Sequence, residues 1–346
     1  NMYPGSFASP EAVAFLMTEK YVMGTPLYRM EQDNKRRGIG LSRQTMSNWM
    51  IHCSEKWLEP LYDELHRKLL EAEIINADET TVQVLHEQDK KAQSKSYMWL
   101  YRTGSYAEHP IVLFDYQPSR AQDKPVEFLN GFRGKYLQTD GYQVYKGIEN
   151  VIHVGCLAHL KRKFHDAVAV LPKDQKKGAA TDGEAYCNAI FKIEERIADL
   201  TPEERYKVRQ EKVKPLFDEF LAWGNTRTAS SKSKLGVALT YLHNQGEDIQ
   251  NYLLDGRLDA SNNLAERSIK MFVIDRKNFL FANTPLGAKC SAVTFSIIQT
   301  ALENGLDPYK YLTYIFEAAP RLDQSKNDWI APLLPENAPE QCKSMK

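Results

Sequence analysis

This chain of 346 residues has no surplus of either charge, with 45 lysines and arginines against 45 aspartates and glutamates. That balance excludes a surface that is basic overall, so any anion-binding surface must be local. Cysteine is scarce. The five present (Cys53, Cys156, Cys187, Cys290, Cys342) are odd in number and never spaced Cys-x-x-Cys. This excludes a disulfide framework and a four-cysteine zinc site, and it points to a cytosolic compartment. No apolar run approaches the roughly 18 residues of a membrane span, and the first twenty residues lack a basic start followed by an apolar stretch. The opening Asn1-Met2 reads as a tag remnant, with the natural protein starting earlier. What remains is ordinary for a soluble globular protein, 42% hydrophobic and 26% charged, and long enough for a central core with additions.

The charge is unevenly placed. Between residues 29 and 43, Arg29, Lys35, Arg36, Arg37 and Arg43 outnumber two acids. Between 161 and 177, Lys161, Arg162, Lys163, Lys173, Lys176 and Lys177 outnumber two more. Between 257 and 289, Arg257, Arg267, Lys270, Arg276, Lys277 and Lys289 stand against three. Each cluster reads either as a solvated helix face or as a phosphate-binding surface.

The N-terminal region is helical. Ser9-Pro10-Glu11 is a helix start, a second helix follows Pro26, and Ser42 opens a third after a Gly38-Ile39-Gly40 turn. In that third helix Met46, Trp49, Met50, Cys53 and Trp57 recur at the spacing of a buried stripe, which turns Arg43, Gln44, Ser47 and Asn48 outward. This is the layout of a helix-turn-helix offering Arg43, Gln44 and Asn48 to base edges, and equally of a helical hairpin packed on its neighbours.

From residue 73 the period changes. Segments 74–85, 96–103 and 110–116 read as an antiparallel meander, followed by a short helix near 124–132 and strands at 135–139 and 151–154. That order predicts a mixed α/β, ribonuclease-H-like core in which the first and fourth strands are neighbours. Helices are expected at 157–170, 183–200 and from the capping box Thr201-Pro202-Glu203-Glu204 to near Pro215, then at 235–254. Further helices cover 263–274, 287–304 and 308–318. The division expected is an N-terminal helical region (1–72), a first part of the core (73–165), an all-helical insertion (166–256), a second part (257–320) and a tail (321–346).

Three acids stand where strand ends and a helix start can gather them: Asp78 in Ala77-Asp78-Glu79-Thr80, Asp140 in Thr139-Asp140-Gly141-Tyr142, and Glu266 in Asn262-Asn263-Leu264-Ala265-Glu266-Arg267. Carboxylates converging in this way can hold two Mg²⁺ or Mn²⁺ ions about 3.5–4 Å apart, the arrangement that cuts and joins phosphodiesters. Singly, Asp78 could be a polar strand residue, Asp140-Gly141 a turn, and Glu266 part of a capping box with Asn263. Cys156 and His159, three residues apart, are too few for a structural zinc site and read as support for the site, with Lys161, Arg162 and Lys163 following as DNA contacts.

These three motifs, together with Gly155-Cys156-Leu157-Ala158-His159-Leu160-Lys161-Arg162-Lys163-Phe164 and Arg276-Lys277-Asn278-Phe279-Leu280-Phe281-Ala282, resemble the transposases of the insertion-sequence-66 family, a similarity running from about residue 8 to 335. The resemblance implies a bacterial, nucleoid-associated DDE-type transposase with Asp78, Asp140 and Glu266 as its metal-binding triad. It implies double-stranded DNA (element ends and target) as partner, self-association on DNA, and accessory proteins. Arg267, Lys270, Arg276 and Lys277 are placed by charge and position to hold the DNA backbone. Relatives commonly carry an upstream zinc-binding segment and often tryptophan where Leu157 stands. The rival readings are a nuclease that cuts without joining and a DNA-binding regulator without catalysis.

Overall fold

The computed structural model describes residue 3 and residues 5–172 and 177–344; Lys173 and Lys176 of the second basic cluster lie outside the described residues. Four helices open the chain: α1 (Pro10–Tyr21), α2 (Leu27–Arg36), α3 (Arg43–Cys53) and α4 (Glu59–Leu69). Ser9 and Ser42 start α1 and α3 by accepting the backbone N–H of Ala12 and Thr45. The stripe from Met46 to Trp57 is buried, while Arg43, Gln44 and Asn48 are exposed.

Between α3 and α4 the helix widens into a π turn at Ser54–Leu58, just ahead of Pro60. A proline ring strikes the carbonyl one turn back in a regular helix, and a wider turn gives it room. The same device recurs at Arg209–Val213, between α8 (Pro202–Val208) and α9 (Lys214–Asn225). The sequence predicts a helix end near Pro215; the chain instead continues through it as helix. Arg209, fully buried in that turn, bonds Glu194 at 2.7 Å and the Asp255 carbonyl at 3.2 Å. These partners meet the requirement that a buried charge be paired.

The sheet has five strands: β1 (Ile74–Gln83), β2 (Lys95–Thr103), β3 (Val112–Gln117), β4 (Tyr136–Gln138) and β5 (Ile152–Val154), in the order β3-β2-β1-β4-β5. β1, β2 and β3 are antiparallel neighbours, whereas β4 lies parallel to β1 and to β5. β1 stops short of residue 85 because Val84 bridges Ala282 instead. The short helix α5 spans Asp123–Phe128.

One core gathers α1, α3 and α4, the apolar residues Ile75 and Ala77 of β1, and the C-terminal helices α11 (Asn263–Phe279), α12 (Pro285–Glu303) and α13 (Pro308–Ala318). The N-terminal helices therefore share their apolar interior with the sheet. A second core joins Ile74, Tyr136 and Val154 to α6 (Leu157–Ala169), α7 (Ala179–Arg196), α9 and α10 (Lys234–Gln250). Segment 321–344 folds back on the first core, burying Ile330, Leu333, Leu334 and Cys342, with Leu306 bridging Lys343. Buried Arg102 of β2 ties this arrangement together through Ser268 of α11 and Glu303 of α12. Among the described residues no helix is long and apolar enough to cross a membrane.

Candidate active site

Successive side chains of a strand point to opposite faces, so Ile74, Asn76 and Asp78 share one face of β1. The parallel register sets Ile74 beside Tyr136 and Asn76 beside Gln138, and Asp140 follows two residues after Gln138. Along these two strands the face thus changes from apolar to amide to carboxylate. Asn262, immediately before α11, puts Glu266 one helical turn further on.

The amide layer is almost sealed from solvent, with Asn76 and Gln138 each 1% exposed and Asn262 0%. Asn76 Nδ2 donates to Gln138 Oε1 at 3.0 Å and to Asn262 Oδ1 at 3.1 Å. Asn262 Nδ2 donates to the Ala77 carbonyl at 2.8 Å, and Gln138 Nε2 to the Asp259 carbonyl at 2.6 Å. Asn262 also donates its backbone N–H to Cys156 Sγ at 3.2 Å, which fastens the start of α6 to the start of α11.

Above this layer lie the three acids. Asp78 accepts the N–H of Glu79, and its carboxyl is pushed up to about 8, first by burial and then by Glu79, Asp140 and Glu266. Asp140 Oδ1 closes a turn with the N–H of Tyr142 at 2.9 Å, and its carbonyl accepts from Tyr241 at 2.6 Å. Glu266 Oε1 is buried without a hydrogen-bond partner, 3.6 Å from His159 Nδ1, which is likewise unpaired. Arg162 stands 3.8 Å from Glu266 Oε2, and Lys163 lies over the ring of Tyr241. Burial holds His159 below its usual range despite these acids.

Among the described residues, the three metal-ligating types whose atoms all lie within 4.8 Å of one another are Cys156, His159 and Glu266, not the three acids. A pair of ions 3.5–4 Å apart does not require every ligand to meet at one point. The Cys156 thiol, pushed up to about 11 chiefly by burial and already accepting the Asn262 N–H, is suited to support rather than to ligation. The orphan oxygen of Glu266 and the mutual repulsion felt by Asp78 both fit a site for divalent cations, because positive charge would relieve each.

Other residues around the site gave no sequence signal. Glu79, whose side chain is buried on the opposite face from Asp78, is held by Arg120 and by Tyr145 Oη at 2.6 Å. The Arg120 guanidinium stacks on Tyr142 at 3.6 Å, linking that face to the Asp140 turn. Of the basic residues read from the sequence, Arg267, Lys270 and Lys277 are exposed on α11. Arg276 is turned onto β1, where it bonds Thr80 Oγ1 at 3.0 Å and the Thr81 hydroxyl at 3.1 Å. Its guanidinium thereby holds α11 against the strand that carries Asp78. Arg43, Gln44 and Asn48 lie on α3, Gln44 donating to Asn48 at 2.9 Å.

Residues 5–290 match a family model for transposases, which sets the class of this protein. That model is described as transposase IS66 family, residues 296–335 match the IS66 C-terminal element, and the chain belongs to this family. The chain is similar to three proteins of Sinorhizobium fredii: uncharacterized protein y4qI, 32% identical over 317 residues (87% of this chain, 58% of that protein), and uncharacterized proteins y4hP and y4jD at 29% and 28% (89% and 90% of this chain, 59% and 63% of theirs). It therefore spans about three fifths of the length of these relatives.

Proposed function

We propose that this chain is the catalytic part of a DDE-type transposase with a ribonuclease-H-like core, cutting element ends and joining the freed 3′-hydroxyl to target DNA. The observation that supports this reading is the buried amide network linking β1, the end of β4 and the start of α11, the three elements that carry Asp78, Asp140 and Glu266. The strand order β3-β2-β1-β4-β5, with β4 parallel to β1, supports the ribonuclease-H-like assignment.

Asp78, Asp140 and Glu266 would hold two Mg²⁺ or Mn²⁺ ions. Bound there, the ions would activate the attacking oxygen and neutralise the phosphate in flight. His159 and Arg162 flank Glu266, and Lys163 lies over the ring of Tyr241, whose hydroxyl donates to the Asp140 carbonyl. In the first step a water oxygen forms a bond to the end phosphorus and the bond to the 3′ oxygen breaks. In the second, that 3′-hydroxyl attacks a target phosphorus in line and displaces a strand. The exposed residues Arg43, Gln44 and Asn48 of α3 would contact DNA in the manner of a helix-turn-helix, and Lys161, Arg162, Lys163, Arg267, Lys270 and Lys277 its backbone.

The test is incubation with the element's own terminal sequence and Mn²⁺. The parent protein is expected to give nicked and joined products and Asp140→Ala neither. Equal activity of the two would reject the triad, and nicking without joining would leave a nuclease.

A further inference from the structure

The role of the amide layer goes beyond burial. Asn76, Gln138 and Asn262 come from the same three elements as the three acids, and each precedes its acid by one structural repeat: two residues along β1 and past β4, four along α11. We infer that Asn76, Gln138 and Asn262 are positioning residues that set the spacing of Asp78, Asp140 and Glu266 for two divalent ions. This inference rests on the proposed catalytic reading.

The geometry leaves little freedom. A one-residue slip of β4 against β1 would turn Gln138 away from Asn76 and carry Asp140 to the other face. The amide pair makes that slip costly, because it would strand buried donors and acceptors on both strands. Asn262 does the same for the helix. Its carboxamide donates to the carbonyl of Ala77, the residue directly before Asp78, and accepts from Asn76. This fixes the height and rotation of the α11 start over β1, and with it the carboxylate of Glu266 one turn above. Apolar residues could fill the same space but would not specify a register, since hydrophobic contact has no direction.

The Asn262 backbone N–H reaches Cys156 Sγ, and the Leu157 N–H reaches the Ala260 carbonyl at 2.9 Å. The start of α6, which carries His159 and Arg162 beside Glu266, is thereby placed by the same hub. One cluster thus locates the three acids and two of their flanking groups.

The test is Mn²⁺ binding to the DNA-free chain, followed by electron paramagnetic resonance, beside the Mn²⁺ concentration giving half-maximal cleavage of element-end DNA. Asn262→Ala, and Gln138→Met, which keeps volume while removing the amide, are each expected to weaken Mn²⁺ binding by about 10- to 100-fold and to raise the half-maximal concentration in step. Phe220→Leu, a core change in the helical insertion, serves as a control for lost stability. It is expected to lower the melting temperature with Mn²⁺ affinity intact. If Asn262→Ala and Gln138→Met melt earlier but bind Mn²⁺ as the parent does, the amides only stabilise the fold and the inference is overturned. If Asp78→Asn also leaves Mn²⁺ binding unchanged, the catalytic reading itself fails. Should Asn262→Ala not fold, Gln138→Met decides the outcome alone.

Discussion

Asp78→Asn is expected to make the metal-free protein more stable at pH 9, raising its melting temperature by roughly 3–6 °C, while reducing DNA cleavage by at least about 10³-fold. The carboxyl titrates near 8 in the folded chain against 3.8 ordinarily, so between those values the folded state keeps a proton that the unfolded state releases. Stability from this group is complete below about pH 4, is lost as pH rises through the window, and is gone above about 8. At roughly 1.4 kcal/mol per unit, reduced for water reaching a partly open site, ionised Asp78 costs about 2–4 kcal/mol above pH 8 without metal. Asparagine removes that charge and keeps an oxygen to accept the Glu79 N–H. At pH 5, about one unit into that window, the difference should shrink to roughly a third of its value at pH 9. Thermal scans at pH 5 and 9, paired with a cleavage assay, check both halves. A variant that is less stable at pH 9, or one that still cuts, contradicts the account.

Replacing Lys161, Arg162 and Lys163 together by alanine is expected to weaken duplex binding on the order of 10²-fold at 0.1 M salt. The slope of log affinity against log salt should flatten by about 2–3, since each cation released from phosphate contributes close to 0.9. Arg276→Ala, by contrast, is expected to leave that slope unchanged and to lower the melting temperature, because its guanidinium bonds Thr80 and Thr81. Fluorescence anisotropy over a series of salt concentrations separates the two. A slope unmoved by the triple substitution would remove α6 from the DNA surface.

Much of this architecture was legible in the sequence where local chemistry and tertiary environment agree. Ser9 and Ser42 cap the helices they were expected to cap, and the stripe through Met46, Trp49, Met50 and Cys53 is buried because its spacing places it on one helix face. The strand segments and their pairing followed from β-branched and aromatic runs. What misled was proline. Pro215 reads as a helix end, yet a π turn absorbs its ring, and nothing local to the sequence announces that turn.

The acids of the site were visible as motifs, but their supports were not. Asn76 and Gln138 sit on strands where a polar residue ordinarily faces water, and only the register shows that they face each other. Asn262 read as part of a helix start; its carboxamide instead reaches β1. Glu79 carries no local sign of its role beside Asp78, because its partners Arg120 and Tyr145 lie 41 and 66 residues away in the chain. The orientation of Arg276 had the same cause: charge and position mark a cation for DNA, whereas the fold supplies hydroxyls nearer at hand.

The claim on which the rest depends is that Asp78, Asp140 and Glu266 share a pair of divalent ions. Titration of the chain with Mn²⁺ in the presence of a pre-cut element end, followed by electron paramagnetic resonance, tests it most directly. The account predicts two Mn²⁺ per chain with the exchange-coupled spectrum of ions roughly 3.5–4 Å apart, and loss of that spectrum in Asp140→Ala. A parent protein that binds only one uncoupled ion, or an Asp140→Ala variant that retains the coupled pair, would contradict it.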